Sequence, residues 1–577
     1  MFDESVWLFD LPPSDKRTPP LMSRLRQELI QIQKKNYWKN VRLVRDSLEY
    51  NPAVETYEKE YFDFLKDYQG ISTKTDLIKK VSGADLVFHG DYHTLRQSQR
   101  CVLRILREIQ GKREVILCLE MFYGMDQRYI NAFMDGELSE GVFIQKIDYR
   151  KKWPFSWQNW SPIIYFCQDH GIPIIGINSD PGEGIGGIRD RDQYAAKVIS
   201  KTLLKNPGKL IYVIDGDFHV SPNHLPKEVE QLLILLDIQT RSVIIYQNAE
   251  NLFWKMCEQG IEESDVIRIS ENSFCVMNTM PANKIQSYLN WLEYSEDAYY
   301  PVHGEWAEDG SEGRGLSVQD IASDLASILK LDLYPQVLEQ LNVYYANNLD
   351  FMDLIHDMPA VKGKIRLIKE KMKSGEGFLL EYEQEGKEAY LIYLPNSNLN
   401  MAAEEATHFV NAVCRGRLTA DLSLFDRFYW NVITECLGFF GSKFINEKRK
   451  AHSENSLRRL LGQMKKDEYQ KADSMIPQVA RFILQHYALQ RQTDNAKDFY
   501  QKFEPQYRNR SILPFVFSTQ LGYMLGNKLY YAVKKGRFPL TKIRSYFRDP
   551  FEEAGKAFSC YLEISHRLKE MKHITQF

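Results

Sequence analysis

V-F-H-G-D-Y-H (Val87–His93) is the stretch on which the fold turns. An apolar run of strand length stops at a glycine and is followed by an acid, an aromatic ring and an imidazole. The pattern V-x-x-G-D-[YF]-H returns as V-I-D-G-D-F-H (Val213–His219). Between the two copies lie V-I-L-C-L-E-M-F (Val115–Phe122) and P-I-I-G-I-N (Pro173–Asn178), and after them S-V-I-I-Y (Ser242–Tyr246). Helical stretches at Arg96–Gln110, before His170, at Arg191–Lys205 and at Lys227–Leu236 separate these runs. Strands alternating with helices predict an α/β fold: an open, mostly parallel sheet with helices on both faces.

In such a sheet the carboxyl ends of the strands face one crevice, so residues that follow different strands meet there. His93, His219 and Glu120 are the residues so placed. Two imidazoles and a carboxylate suit a divalent metal ion with open positions for water. Asp91 and Asp217 are positioned to orient the ring nitrogens or to bind the metal themselves. The glycine before each Asp is expected to turn the backbone through positive φ and bring it near a ligand. A lone G-x-x-H more often only closes a strand; two copies on matching elements, with a Glu on the intervening strand, favour a site.

These residues resemble the superfamily of haem-binding-uptake-like α/β proteins that includes ChaN, TraB, Tiki and erythromycin esterase, and above all its ChaN-like members. The resemblance rests on G-D-Y-H at Gly90, L-E-M-F at Leu119, W-Q-N-W-S-P-I-I-Y-F before G-I-P-I-I-G-I-N, R-D-R-D at Arg189 and G-D-F-H at Gly216. It implies one of two functions. Tiki-like members are described as metal-dependent proteases that use the paired histidines and a Glu, and erythromycin-esterase relatives use His and Glu as acid and base. The corresponding reading here is hydrolysis of a peptide, amide or ester bond in a peptide or small-molecule substrate. His93 and His219, with Glu120 or Asp91, would hold the metal, and the carboxylate left free would take a proton from water. Arg189 would stabilise oxyanion charge, with Asn178 on the corresponding loop. ChaN instead binds haem through a Tyr, which implies a haem- or iron-binding protein without catalysis. Tyr92 and Tyr123 are the nearby candidates for that role, and Asp91 stands where ChaN-like proteins usually carry Glu. A third option is a scaffold that has the fold without the chemistry.

Other signals in the chain compete with this reading. D-P-G-E-G-I-G-G (Asp180–Gly187) contains G-x-G-x-x-G, but it follows the third strand and puts Glu183 where a pyrophosphate would sit. A lid over the crevice, residues 181–188, is the preferred reading. His224, in V-S-P-N-H-L-P, is either a third imidazole or a solvent-exposed turn residue. Glu405–His408 and Glu563–His566 both fit the E-x-x-H of di-iron bundles, but this composition yields about one such match by chance. Amphipathic helices with i,i+3 polar pairs explain them more simply. Trp153, Trp157, Trp160 and Tyr165 read as core packing or, in a ChaN-like fold, as a pocket wall.

With 577 residues, 44% of them hydrophobic, the chain can bury several cores. Residues 1–80 read as a helical extension, 81–295 as the α/β domain, 296–315 as a linker dense in Gly, Glu, Asp and Ser, and 316–577 as mainly helical with a hairpin near 377–395. L-G-F-F-G-S-K at Leu437 and L-G-Y-M-L-G-N-K at Leu521 look alike, as two closely packed helices would. A net charge of −3, from 74 basic and 77 acidic residues, gives no field that favours nucleic acid. Basic runs such as Lys448–Lys450 read as solvated helix faces. Eight cysteines without a C-x-x-C point to reduced, buried thiols. The acidic start M-F-D-E-S-V-W-L-F-D lacks a basic n-region, and the weakly charged run Pro514–Val533 is too polar to span a bilayer. The reading is therefore cytoplasmic, with no transmembrane segment. For a non-catalytic protein, the helical region would contact a partner or a second copy in a homodimer.

Overall fold

The computed structural model describes residues 23–47, 52–179, 187–295 and 317–569, apart from 362, 385, 397, 419–420, 448, 464–474, 493–498, 500–501 and 503–512. The linker expected at 296–315 and most of the Gly-rich segment 181–188 lie outside the described residues. The chain divides into two compact units, Met1–Glu308 and Asp309–Phe577.

The first unit is an α/β fold whose eight strands are β1 (Gly70–Ser72), β2 (Leu86–Asp91), β3 (Val115–Tyr123), β4 (Ile174–Asn178), β5 (Leu210–Gly216), β6 (Ser242–Gln247), β7 (Val266–Ser270) and β8 (Ser273–Val276). They lie in the order β1-β7-β8-β6-β2-β5-β3-β4. From β8 to β4 every pairing is parallel; β7 runs antiparallel to both β8 and β1. The central strands are apolar because both of their faces are covered by helices. Every residue of β2, β3 and β5 is buried. On one side of the sheet, Val87, Leu117, Leu119, Tyr212 and Ile214 pack with Val102 and Leu106 of the helix Arg96–Ile109. Ahead of the sheet, the helices Arg24–Ser47 and Pro52–Phe64 form as expected, but Gly70–Ser72, expected within a helical cap, joins the sheet edge.

The second unit is mainly helical. It also holds a three-stranded sheet, β10 (Phe378–Gln384), β11 (Lys387–Leu394) and β9 (Leu341–Tyr345), in which β10 and β11 form the expected hairpin and β9 adds in parallel. Its core is built on the helices Leu399–Arg415, Leu424–Ile445 and Leu513–Lys534, with Phe409, Tyr429, Val432, Cys436, Phe517 and Leu521 at its centre. The Leu437 and Leu521 motifs lie on two of these helices. A Cβ at Gly526 would stand 2.4 Å from the backbone oxygen of Cys436, so glycine is what lets the two backbones approach. All eight cysteines are free thiols. Among the described residues no helix is long and apolar enough to cross a membrane.

Candidate functional site

The register of β2 against β5 sets Gly90 opposite Asp215 and Asp91 opposite Gly216, so the two repeated motifs leave adjacent strands side by side. Glu120 lies on β3, the next strand across from β5. Gly216 sits where the three side chains converge: a Cβ there would lie 3.3 Å from His219 Cδ2, 3.5 Å from His93 Nε2 and 3.6 Å from Glu120 Oε2. Neither Gly90 nor Gly216 has positive φ, contrary to the sequence expectation. At Gly90 space is short, since a Cβ there would meet Asp217 Oδ1 at 2.7 Å.

Each imidazole is held by a carboxylate on one nitrogen and faces Glu120 with the other. His93 Nδ1 bonds Asp91 Oδ2 at 2.9 Å, and its Nε2 lies 3.5 Å from Glu120 Oε2. Asp91 is itself fixed by Gln99, whose Nε2 donates at 2.6 Å. His219 Nδ1 bonds Asp192, which also accepts from Tyr57 Oη at 2.8 Å, and His219 Nε2 lies 4.0 Å from Glu120 Oε1. Glu120 Oε2 accepts from the Gly216 amide at 2.9 Å, and Arg191 Nη1 lies 3.6 Å from Oε1. His93 keeps 22% of its side chain exposed and packs against the rings of Trp153 and Phe155. Trp153 therefore belongs both to the core and to the wall of the site.

The charges follow from these contacts. Burial opposes the ionised form of Glu120, but His93, His219 and Arg191 outweigh it and hold the carboxyl down at about 2. Asp215, buried beside Glu120, is pushed well above the carboxylate range by burial and by the Glu120 charge. Burial opposes a charged His93, yet Glu120 and Asp91 raise it above its ordinary value. Two carboxyl groups with opposite proton affinities in one site are the usual means of dividing acid and base work.

The structure places the remaining sequence candidates as follows. Arg189 is 74% exposed and faces Glu228 at 3.8 Å; Arg191, two residues on, is the guanidinium that reaches Glu120. Asp217 does not orient His219 but forms a buried ion pair with Lys284 at 2.7 Å, and Lys284 also faces Glu250 at 3.2 Å. Asn178 is buried at the end of β4, where its Oδ1 accepts from the Ser179 amide. Tyr92 is half-buried with Lys284 over its ring, and Tyr123 is buried with Lys152 over its ring. His224 is buried and stacked on Tyr57 at 3.5 Å, with Nε2 3.4 Å from Glu60, and so is neither solvent-exposed nor turned to Glu120. Sequence reasoning did not assign roles to Arg191, Asp192, Asp215 or Tyr57. Arg191 and Asp192 complete the R-D-R-D motif, and Asp215 is the single acid inside an otherwise apolar strand; both signals were present in the chain.

Residues 77–183 match the family described as haem-binding uptake, Tiki superfamily, ChaN. Over those residues the α/β unit is similar to that family. The matched segment includes His93 and Glu120, and His219 lies beyond it. A solved structure showing cofacial heme binding to ChaN of Campylobacter jejuni is similar at 13% identity, over 30% of this chain and 86% of that chain, with a TM-score of 0.27. No curated protein matches this chain.

Proposed function

We propose that the ChaN-like unit is a metal-dependent hydrolase acting on a peptide, amide or ester bond. The observation that carries this reading is the pair of carboxylate-oriented imidazoles. Asp91 and Asp192 accept the Nδ1 protons, which fixes the tautomers and turns both Nε2 lone pairs toward Glu120. The donor set suits a divalent ion held by His93, His219 and Glu120. Glu120, Asp215 and His219 also offer ligand atoms within 4.8 Å of one another. Bound there, such an ion supplies Lewis acidity toward water and a scissile carbonyl. Asp215, whose carboxyl is pushed well above the ordinary range by burial and by Glu120, would serve as the acid toward a leaving group where it is not itself a ligand. Arg191, whose guanidinium reaches Glu120, would take the role expected of Arg189, as the cation beside developing oxyanion charge.

Haem binding is the second reading, favoured by the family match at residues 77–183. Tyr92, half-buried and next to His93, is its candidate ligand ahead of the buried Tyr123. One experiment separates the two. Full-length protein from iron-supplemented cells is analysed for metal and by visible absorption, alongside the double variant His93→Ala, His219→Ala. A divalent metal that the double variant loses, ester or amide hydrolysis lost with it, and no Soret band support the hydrolase. A Soret band in place of that metal selects haem binding; a metal content and hydrolysis rate unchanged in the double variant would sink the hydrolase.

A further inference from the structure

The helical unit contains a second polar cluster that the α/β site does not use. Helix Leu399–Arg415 carries Glu404 and His408 one turn apart, and both face Glu435 on helix Leu424–Ile445; all three are buried. His408 Nε2 lies 3.6 Å from Glu435 Oε2 and 3.9 Å from Glu404 Oε1, and one ligand atom from each residue falls within 4.8 Å of the others. A direct hydrogen bond spans about 2.7–3.2 Å. Separations somewhat larger than that are what neighbouring ligands show around one ion with bonds of about 2.0–2.2 Å.

Three further observations point to a ligand. Glu404 Oε1 and Glu405 Oε2 are buried and have no hydrogen-bond partner, which a close-packed interior rarely tolerates. Arg449 donates to Glu404 Oε2 at 2.5 Å, leaving Oε1 as the oxygen nearer His408. Gly438 makes the room: a Cβ there would stand 2.4 Å from His408 Cε1 and 2.7 Å from Nε2, so only glycine lets the imidazole lie against the second helix.

We propose that Glu404, His408 and Glu435 bind a divalent first-row cation, with Glu405 beside them as a further carboxylate. Carboxylates with one imidazole and no thiolate suit ions of the manganese or zinc type over soft cations, and side chains on facing helices are how bundle interiors build such centres. One ligand atom from each of the three residues, all within 4.8 Å of one another, fits a single ion. The i,i+4 pair Glu404–His408 supplies two of them, whereas the E-x-x-H reading of the sequence paired His408 with Glu405.

The test uses the full chain carrying His93→Ala and His219→Ala, so that the α/β imidazoles contribute nothing. It is dialysed against Mn²⁺, Zn²⁺ or Co²⁺ alone. One bound equivalent per chain is expected, and adding Glu435→Gln should abolish it while the circular dichroism spectrum is retained. If that variant fails to fold, His408→Gln is read in the same way. The visible spectrum of the Co²⁺ form reports the site with no change in the helical unit. No bound metal and no Co²⁺ spectrum in the parent chain, or full binding in both Glu435→Gln and His408→Gln, overturns the proposal.

Discussion

Gly216 carries no side chain and is the point on which His93, His219 and Glu120 converge, each with an atom 3.3–3.6 Å from where its Cβ would lie. The residue decisive for orientation is Asp192, which is buried between His219 and Tyr57. Asp192→Asn keeps the shape but can present an amide N–H to His219 Nδ1, which favours the tautomer whose Nε2 carries the proton and turns no lone pair to Glu120. We expect this variant to fold normally and to lose metal affinity by about 10- to 100-fold, the usual cost of removing the partner of a ligating histidine. Competition with a chelator measures it, and affinity equal to wild type would remove Asp192 from the site. His93, His219 and Glu120 were legible in the sequence because repeated motifs on like elements must emerge at like places. Asp192 and Arg191 were not assigned, because a helix start gives no sign of which of four alternating charges turns inward. Arg449, read within a solvated basic run, is bound to buried Glu404 for the same reason: charge patterning does not reveal a partner on another helix.

Two packed helices of the second unit show what glycine does at the scale of elements. Gly526 faces the Cys436 carbonyl at a distance that no Cβ tolerates, and backbone yields less readily than a flexible side chain. Gly462, in the helix Glu454–Gln463, has nothing within 4 Å of its would-be Cβ. Alanine is the better helix former by up to about 1 kcal/mol, so Gly462→Ala should be neutral or slightly stabilising. Gly526→Ala should destabilise by about 1–3 kcal/mol through overpacking. Urea unfolding of the two variants decides, and equal midpoints would mean that the helices are not held at this spacing. The paired L-G motifs made this packing legible from sequence. The short strands β1 and β9 were not, since three to five residues carry too little periodicity and are strands only because a neighbour pairs with them.

At the scale of the molecule, each unit owns a separate core: Leu117, Trp160 and Phe274 belong to that of the first, and Phe409, Tyr429 and Phe517 to that of the second. Calorimetry is therefore expected to resolve two transitions, of which Gly526→Ala lowers only one. A single transition that shifts as a whole would contradict that division. The sequence by itself determined the α/β character of the first unit, the succession of its main strands along the chain and the meeting of two histidines with a glutamate, because periodicity and chain direction are local properties that parallel topology converts into position. Only the tertiary structure decided that Arg191 rather than Arg189 faces Glu120, that Asp217 pairs with Lys284, and that Glu404 and Glu435 close around His408. Apart from the i,i+4 relation of Glu404 to His408, those pairings depend on distances between segments remote in the chain, fixed by packing and the missing side chains of glycines.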